Sequence, residues 1–423
     1  MRMLNRRAGI AAGALAVAGL TLASTGVASA DSPAARPSDA VGVGSDTLQN
    51  LADFLFDGAP GAVNGYNAQG NINRVYSVFS TGDANGRAIY DGTCGAAGAN
   101  GLGTFCSATT SQAPNSLPGS VVLREGTKPV VRPNGSGAGA AALVQDTPGD
   151  ATNFPGYEGL PNGSIQFARM SRLPNTTEEG TCPTSGACGG LHVYQAATDQ
   201  LEIATSNISG ATYEGPTGLS AKELVDIYSC TKTKWNQLPG NTTGSANTIH
   251  PLIPQSGSGT RNFFLADLQA ANGGSAVTLG SCVRTVQEHD PTGIYADPTP
   301  ADAIEPFSAG KIALINSGYF ANGAGYKGTN GSNAYTANQL KLLSGTPGDT
   351  NPVYNSTRGL YFVIRQADLA SKTPLQPGGT ENWAQTLFTG STSWIARSSQ
   401  ASAYAAAGFT QAYKDCGINP GTC

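Results

Sequence analysis

One local pattern occurs three times in the chain and limits the folds open to it: a short apolar strand, a glycine turn and the start of a helix. Strands that alternate with helices across such short turns are typical of α/β proteins, in which helices cover the faces of the sheet. The chain is therefore predicted to be α/β, with mixed sheets flanked by helices. The three turns are Gly44-Ser45-Asp46-Thr47, Gly135-Ser136-Gly137 and Ser256-Gly257-Ser258-Gly259-Thr260.

Helix caps and hydrophobic spacing predict further elements. Leu48, Leu51 and Leu55 share one face of a helix that follows the first turn. Ser220, with Glu223 three residues later, is a capping box that starts another helix. The remaining predictions are strands at 165–168, 191–194, 201–204, 248–253, 312–315 and 360–364, a helix opened by Thr299-Pro300, a mostly helical tail over 394–413, and a long surface excursion over 58–118.

Residues 1–30 are organised like a secretory signal peptide. A start with three arginines precedes an apolar run of small residues over 8–27, and Ala28-Ser29-Ala30 fits a cleavage site. The pair Arg6-Arg7 leaves twin-arginine export open, and an uncleaved membrane anchor is the other alternative. We expect the mature chain to begin after Ala30 and to be secreted, either extracellular or periplasmic.

The charge balance excludes one class of partner. Cleavage removes three arginines and no acid, which leaves 21 basic and 28 acidic residues and a net charge of −7. Such a chain lacks the basic surface that nucleic acid or an acidic membrane requires, so neither is expected as a partner. An anion site must therefore be local, built from backbone N–H groups and one or two arginines.

All eight cysteines lie in the mature part, and an even number in an exported chain indicates four disulfides. Pairing between neighbours along the chain is our hypothesis among the many connectivities that eight cysteines allow. A metal site is not expected, because the sequence has no CxxC motif and only 3 histidines, and no cofactor is expected either. The hypothetical pairs are Cys94–Cys106, Cys182–Cys188, Cys230–Cys282 and Cys416–Cys423.

Each glycine turn places hydroxyl side chains at a helix N-terminus. The first backbone N–H groups of a helix have no partner within the helix, and the helix dipole is positive there, so this is a general anion site. Arg172, at the end of a predicted strand, and Arg261, directly after Thr260, are candidates for charge-assisted bonds. Taken singly, any one of these turns has a simpler reading as a helix cap.

A family resemblance is carried by residues 253–264, whose sequence is Ile-Pro-Gln-Ser-Gly-Ser-Gly-Thr-Arg-Asn-Phe-Phe. This segment resembles the ligand loop of the phosphate-binding proteins of ABC transporters, members of the class II periplasmic solute-binding superfamily. Other stretches resemble the family in the same order along the chain. They are residues 41–56, 132–143, 165–173, 219–236, 351–364 and 407–409.

The resemblance implies a two-lobed fold with the ligand cleft between the lobes and closure that buries the ligand. Residues 39–207 with 352–423 would form one lobe and residues 208–351 the other. It also implies an ABC permease as a partner, and we expect the chain to be a monomer. The ligand contacts that it implies are Ser45, Asp46, Thr47, Ser136, Gly137, Ser171, Ser258, Gly259 and Thr260, to which we add Arg172 and Arg261.

The sequence departs from the family where ligand choice is decided. Phosphate binders commonly carry an acid where this chain has Arg172. A carboxylate in the site accepts the proton of monohydrogen phosphate and repels sulfate, which has none. Asp46 is the candidate acceptor that the sequence offers, unless it caps its helix instead. Phosphate is the expected ligand, with another oxyanion or a phosphorylated small molecule as the alternative.

Two other functional classes are weaker hypotheses. A secreted serine hydrolase or phosphatase would use Ser136 or Ser258 as its nucleophile, but neither lies in a G-x-S-x-G motif. His289-Asp290 is the one histidine beside an acid, and we interpret His289 as a loop residue. A secreted adhesin, scavenger or signalling module that keeps the binding fold is the second alternative. We therefore expect a binding protein and not an enzyme.

Overall fold

The computed structural model of the chain describes a set of ranges that excludes residues 1–34, and with them the predicted signal peptide. Most of the excursion over 58–118, with Cys94 and Cys106, also lies outside it. The described residues are 35–59, 64–71, 73–80, 120–127, 130–147, 163–295, 297–319, 339–345, 352–370 and 382–423.

The described chain alternates between strands and helices, as the sequence predicts for an α/β protein. The strands are β1 (Ala40–Gly44), β2 (Val75–Ser77), β3 (Ser120–Val121), β4 (Val130–Val131), β5 (Phe167–Met170), β6 (Leu191–Ile208), β7 (Ala211–Thr212), β8 (His250–Pro254), β9 (Arg284–Val286), β10 (Ala303–Ser308), β11 (Leu340–Leu342), β12 (Ser356–Arg365) and β13 (Thr410–Ile418). The α-helices are α1 (Gln49–Phe56), α2 (Ser136–Gln145), α3 (Thr176–Thr181), α4 (Ala221–Tyr228), α5 (Gly259–Ala271), α6 (Thr292–Tyr295), α7 (Ala309–Asn316), α8 (Trp383–Phe388) and α9 (Ala401–Ala406).

Most strands join one mixed sheet with the order β2-β1-β5-β12-β6-β10-β8-β9. The first strand group, β2, β1 and β5, is parallel within itself. The second strand group, β10, β8 and β9, is parallel as well. Between the groups lie β12 and β6, which run antiparallel to each other. This is the mixed α/β architecture predicted from the sequence.

The strand register brings the carboxyl ends of both groups to one place. Strand β5 pairs with β12 so that its last residue, Met170, lies opposite Tyr361, which in turn pairs with Gln195 of β6. Strand β10 runs the other way and ends with Ser308 opposite Leu201 of β6. The carboxyl ends of strands are where open α/β sheets bind ligands. Both groups therefore direct these ends toward the same short stretch of β6.

Helices cover the sheet with the apolar faces that their sequences predict. Leu51 and Leu55 of α1 are fully buried, and Phe56 meets Phe167 of β5 edge to face at 5.7 Å. Leu224 in α4 and the residues of α5 that face it form a separate core beside the second strand group. Each such side chain contributes about 1.5–3 kcal/mol of hydrophobic stabilisation when it is fully buried.

Local predictions fail in three segments. The apolar run at 312–315 lies in helix α7 and not in a strand, because Ser308 accepts a hydrogen bond from the backbone N–H of Lys311 and so caps a helix there. Thr299-Pro300 opens only a single 3-10 turn. The tail contains the short helix α9, but it ends in strand β13. Short apolar runs do not distinguish helix from strand, which is why the first of these errors arose.

Two other predictions of local structure are resolved more simply. The strands predicted at 191–194 and 201–204 are parts of the single strand β6. The capping box at α4 is confirmed, since Ser220 accepts from the N–H of Glu223, whose side chain bonds back to the N–H of Ser220.

The structure pairs Cys182 with Cys188, Cys230 with Cys282 and Cys416 with Cys423, three of the four hypothetical disulfides. Within the described ranges, no helix has both the length and the apolar character to cross a membrane.

Candidate ligand-binding site

The three glycine turns have backbone conformations that explain their glycines. Gly44, Gly135 and Gly257 have φ angles of 112°, 99° and 86°. Residues other than glycine are strained at such positive φ angles. Each turn therefore needs glycine to change direction between its strand and its helix. The turns lead into α1, α2 and α5, which places the N-termini of three helices at the carboxyl ends of the strands.

The first cluster of hydroxyl groups lies between α2 and the N-terminus of α5. The Oγ atoms of Ser136 and Ser171 are 3.3 Å apart, and Ser136 Oγ also accepts from the backbone N–H of Ser171 at 3.0 Å. A Cβ placed on Gly259 would lie 2.2 Å from Ser136 Oγ and 2.3 Å from Ser171 Oγ. Glycine at this position therefore allows both hydroxyl groups to approach the backbone of α5.

The second cluster lies on the other side of the same helix N-terminus. Thr47 Oγ1 is 3.5 Å from Thr260 Oγ1, and both hydroxyl groups face His289 Nε2, at 3.0 and 3.2 Å. Glu288 Oε1 accepts from the backbone N–H of Thr260 at 3.3 Å and from Thr47 Oγ1 at 3.4 Å. Since Gly259 and Thr260 are adjacent, the two clusters meet at the first turn of α5.

The protonation state of His289 follows from its neighbours. The backbone N–H of Ser308 donates to His289 Nδ1 at 3.4 Å, which makes Nδ1 the unprotonated nitrogen. In the neutral ring, Nε2 then carries the hydrogen and donates toward Thr47 or Thr260. The hydroxyl hydrogen of Thr47 is directed to Glu288 Oε1, and that of Thr260 remains for an acceptor in the site.

Hydrogen bonds join the two strand groups across the site. Asn134 Nδ2 donates to Gln287 Oε1, and Gln255 Nε2 donates to Asn134 Oδ1, both at 2.9 Å. The backbone N–H of Gly137 donates to the carbonyl of Gly257 at 3.1 Å. The arrangement is therefore closed, with the second and third glycine turns in direct contact.

A positively charged side chain from the middle of the sheet contacts Thr260. Arg358 of β12 donates from Nη1 to Thr260 Oγ1 at 2.7 Å, while its Nε and Nη2 donate to Asp199 of β6 at 3.0 and 2.8 Å. Both side chains are almost fully buried. Ser308 Oγ donates to the same carboxylate at 2.8 Å. The ion pair thus fixes the guanidinium beside the N-terminus of α5.

A second buried arginine shapes the first turn. Arg169, at the end of β5, donates to the carbonyls of Gly44 and Ser45 at 3.2 and 3.1 Å and to that of Val78 at 2.7 Å. Burial lowers the pKa of Arg169 to about 10, with Asp53 and Asp46 opposing the shift. Because these carbonyls face Arg169, the turn holds one conformation between β1 and α1.

Not every candidate residue uses its side chain in the clusters. Ser45 Oγ accepts from the N–H of Thr47 at 3.2 Å, and Ser258 Oγ caps α5 by accepting from the N–H of Arg261 at 3.0 Å. Arg172 forms two hydrogen bonds with Glu178, at 2.8 and 2.6 Å. Arg261 donates to the carbonyl of Pro254 at 2.9 Å. Ligand contacts by these four residues stay predictions, as do those by Asp46, Thr47, Ser136, Gly137, Ser171, Gly259 and Thr260.

The sequence interpretation missed several residues of the site. Asp199, Glu288 and Arg358 were not recognised. His289 was interpreted as a loop residue and does lie in the turn that follows β9, but its side chain is buried and faces Thr47 and Thr260. The positive φ of His289, 53°, is unusual for a residue other than glycine. Sequence patterns hold no signal for such contacts, because the partners are far apart along the chain.

Two buried acids differ in their electrostatic environment. Lys311 Nζ lies 3.2 Å from Asp46 Oδ1, so a cation accompanies this carboxylate. Helix α1 has no side-chain cap, so Asp46 does not take the capping role considered for it. Burial raises the pKa of Glu288 above its usual value, and the Asp46 carboxylate raises it further. The surroundings of Glu288 thus favour the protonated form of its carboxyl group.

Comparison with known families gives one match. The family model described as a PBP superfamily domain matches residues 94–388, more than half of the chain. Comparison with curated proteins gives no match.

Comparison with solved structures gives matches that include the following two. One, from Clostridium perfringens, is assigned as a phosphate ABC transporter substrate-binding protein and contains phosphate; it is 12% identical, with a TM-score of 0.48, covering 88% of this chain and 99% of that one. The other is an ABC-type phosphate transport receptor from Vibrio cholerae, 13% identical, with a TM-score of 0.45 and coverage of 88% and 99%.

Proposed function

The chain belongs to the PBP superfamily, and we propose that it captures phosphate or a related oxyanion in a cleft between its two lobes. The superfamily is one of solute-binding proteins, so the chain is a binding protein and not an enzyme. The hydrolase alternative also finds no support in the geometry. Ser258 caps its helix, and the closest partner of Ser136 Oγ is the backbone of Ser171.

One observation carries the proposal: hydroxyl groups from both strand groups meet at the N-terminus of α5. Ser136, Ser171 and Thr47 come from the first side of the cleft, and Thr260 lies on the second. A helix N-terminus with several adjustable hydroxyl donors around it suits a compact tetrahedral oxyanion. Arg358 adds one positive charge through its contact with Thr260. Backbone N–H groups, hydroxyls and a single cation match the local anion site expected for an acidic chain.

We place the lobes at residues 39–207 with 352–423 and at residues 208–351. The change of partners along β6 supports this division: residues up to Leu201 pair with β12, and residues from Leu201 onward pair with β10. The bonds between Asn134 and the two glutamines, Gln255 and Gln287, would break on opening and form on closure. Ligand capture would then shift the protein toward the closed state.

The partner and the location follow from the same proposal. Residues 1–30 direct export, the mature chain acts outside the cytoplasm as a monomer, and an ABC permease accepts the ligand. Uptake and scavenging differ in one measurable respect. If the chain serves a permease, cells that lack it take up phosphate more slowly at low external concentration. If it only scavenges, uptake in cells that lack it is unchanged.

Calorimetric titration tests the proposal. The mature, oxidised protein is first stripped of bound anions by unfolding and refolding, and is then titrated with phosphate near neutral pH. We expect a Kd in the micromolar range or tighter. Thr47→Val and Thr260→Val keep the side-chain volume and remove one hydroxyl each, and each should weaken binding about 10-fold. Thr181→Val, at an exposed position of α3, is the matched control and should leave the Kd unchanged.

The titration also has a clear negative outcome. Wild-type protein that folds normally and gives no heat with phosphate, arsenate or sulfate would refute an oxyanion site at this position. Equal effects of Thr181→Val and Thr260→Val would show that the loss of affinity does not arise at the helix N-terminus.

A further inference from the structure

A small polar pocket opens between helix α8 and the loop that follows it, and we call it the α8 pocket. Its volume is about 240 Å³. Sites for drug-sized molecules measure roughly 300–1,000 Å³, so the α8 pocket suits a ligand of about one sugar ring. Every described side chain that lines it is polar, one is positively charged, and none belongs to the candidate oxyanion site. The described lining residues are Gln385, Thr386, Thr389, Thr392, Ser393 and Arg397.

Arg397 is the charged residue of the α8 pocket, and two contacts orient its guanidinium group. Its Nε donates to the carbonyl of Thr392 at 2.9 Å, and its Cζ lies over the ring of Trp394, 5.4 Å from the ring centre. Within the described part of the chain, Nη1 and Nη2 donate to no acceptor and no acid pairs with them. Both groups are therefore available to hold two oxygens of one anion.

A buried hydroxyl group lies beside this arginine. Ser393 is 3% exposed, and its Oγ forms no hydrogen bond with the described residues. The nearby hydroxyl of Tyr413 is already bonded to the backbone of Gly390 and Phe388. A buried polar group without a partner is costly, so a ligand hydroxyl that reaches Ser393 would be stabilising.

The remaining side chains of the α8 pocket offer both donors and acceptors. Among the described residues, the amide of Gln385 and the hydroxyl of Thr392 have no hydrogen-bond partner, and both residues are exposed. Thr389 Oγ1 is 2.8 Å from the hydroxyl of Tyr194, which fixes its position. Hydroxyl groups donate and accept at the same oxygen, so a ligand with several hydroxyls can bond to such a mixed lining.

We propose that the α8 pocket binds a saccharide unit that carries an anionic group, either a carboxylate or a phosphate ester. Two oxygens of the anionic group accept from Nη1 and Nη2 of Arg397, and the sugar hydroxyls bond to Ser393, Gln385 and Thr392. A neutral sugar leaves the guanidinium without an anion, and a small anion leaves the hydroxyl groups without partners. Binding is non-covalent and does not depend on the oxyanion site at α5.

Calorimetric titration of the mature protein tests this inference. A slight excess of phosphate is added first, so that the candidate oxyanion site is filled. The protein is then titrated separately with glucuronate, glucose 6-phosphate and glucose. We expect at least one of the two acidic sugars to bind, and glucose to bind at least 10-fold more weakly, because it lacks the charge-assisted bonds. The two acidic sugars distinguish a carboxylate ligand from a phosphate ester.

Matched variants locate the binding. Arg397→Gln should weaken binding of the acidic sugar at least 10-fold and leave the Kd for phosphate unchanged. Arg74→Gln is the control, because Arg74 is exposed before β2 and the substitution is chemically identical. It should change neither affinity. Thr392→Val keeps the side-chain volume and removes one exposed hydroxyl, so it should weaken sugar binding about 2- to 10-fold even if Arg397→Gln fails to fold.

The outcomes separate this inference from the proposed function. If acidic sugars bind and phosphate does not, the proposed function fails and the α8 pocket stands. If neither acidic sugar binds to the wild type, the inference is overturned. Equal binding of glucose and glucuronate, or equal binding of an acidic sugar by the wild type and Arg397→Gln, would also overturn it.

Discussion

Gly259 should tolerate no side chain in the closed, ligand-binding state, although it is the first residue of a helix where alanine is normally favourable. The Cβ of Gly259→Ala would lie 2.2 Å from Ser136 Oγ and 2.3 Å from Ser171 Oγ, whereas ordinary contacts begin at 3.4 Å. If the two proposed lobes move apart to relieve this clash, they must separate by about 1 Å at Gly259. Relief by rotation of the two serines would instead withdraw both hydroxyl groups from the ligand.

The cost of this separation can be estimated from the bonds it breaks. The bond from the N–H of Gly137 to the carbonyl of Gly257 would lengthen from 3.1 Å to beyond hydrogen-bonding distance. The two bonds of Asn134 across the proposed cleft would weaken with it. At about 0.5–1.5 kcal/mol per bond, the closed state loses about 2–4 kcal/mol. The Kd for phosphate should therefore rise roughly 30- to 1,000-fold, since about 1.4 kcal/mol corresponds to a factor of ten.

The stability of the ligand-free Gly259→Ala variant should rise slightly or stay unchanged. Alanine in place of glycine within a helix favours folding by about 0.5–1 kcal/mol, so the thermal midpoint of the ligand-free protein should not fall. Gly180→Ala in α3 is the matched control, because a Cβ there meets no atom within 4 Å. Calorimetric titration with phosphate and thermal unfolding without it measure the two effects separately. An unchanged Kd in Gly259→Ala would refute the idea that the lobes close tightly around the first turn of α5.

Three further predictions concern stability. Arg358→Met leaves the Asp199 carboxylate buried without its cation and should lower the free energy of unfolding by about 3–5 kcal/mol in denaturant titration; a variant as stable as wild type would contradict this. Burial raises the pKa of Asp146 to about 6, so the stability that its protonation contributes is present at low pH and is lost as the pH rises toward and through that value. The stability of Asp146→Asn should consequently fall less than that of wild type between about pH 4.5 and 7, and parallel curves would argue against it. Cys230 and Cys282 are 52 residues apart, so replacing both with serine should cost about 4 kcal/mol of stability by loop entropy, and a loss near zero in denaturant titration would contradict that account.

The class of the fold and much of its local structure could be predicted from the sequence. The helix after the first turn, the capping box at Ser220 and the strand before Pro254 all depend on neighbours within a few residues. The glycine turns were recognisable for the same reason, since positive φ angles and helix N-termini leave a local composition of glycine, serine and threonine. The failure at 312–315 shows the limit of this reasoning, because a short apolar run fits either kind of element.

The candidate site could be predicted only in part. Thr47, Ser136 and Thr260 were recognised in the glycine turns and Ser171 through the family resemblance, and the structure brings all four to one helix N-terminus. Their electrostatic surroundings were not predictable in the same way. Arg172, chosen for its place after a strand, is held by Glu178.

The sequence by itself thus determined the strand–turn–helix units and the hydroxyl groups that they carry, because these depend on residues close together in the chain. Only the tertiary structure decided which charges stand around those hydroxyls. Arg358 is 98 residues from Thr260, and Glu288 is 241 residues from Thr47. Such contacts arise from the register of β12 on β6 and from the approach of the two strand groups. Since burial and charge pairing depend on that approach, the ion pair of Arg358 with Asp199 could be recognised only in the folded chain.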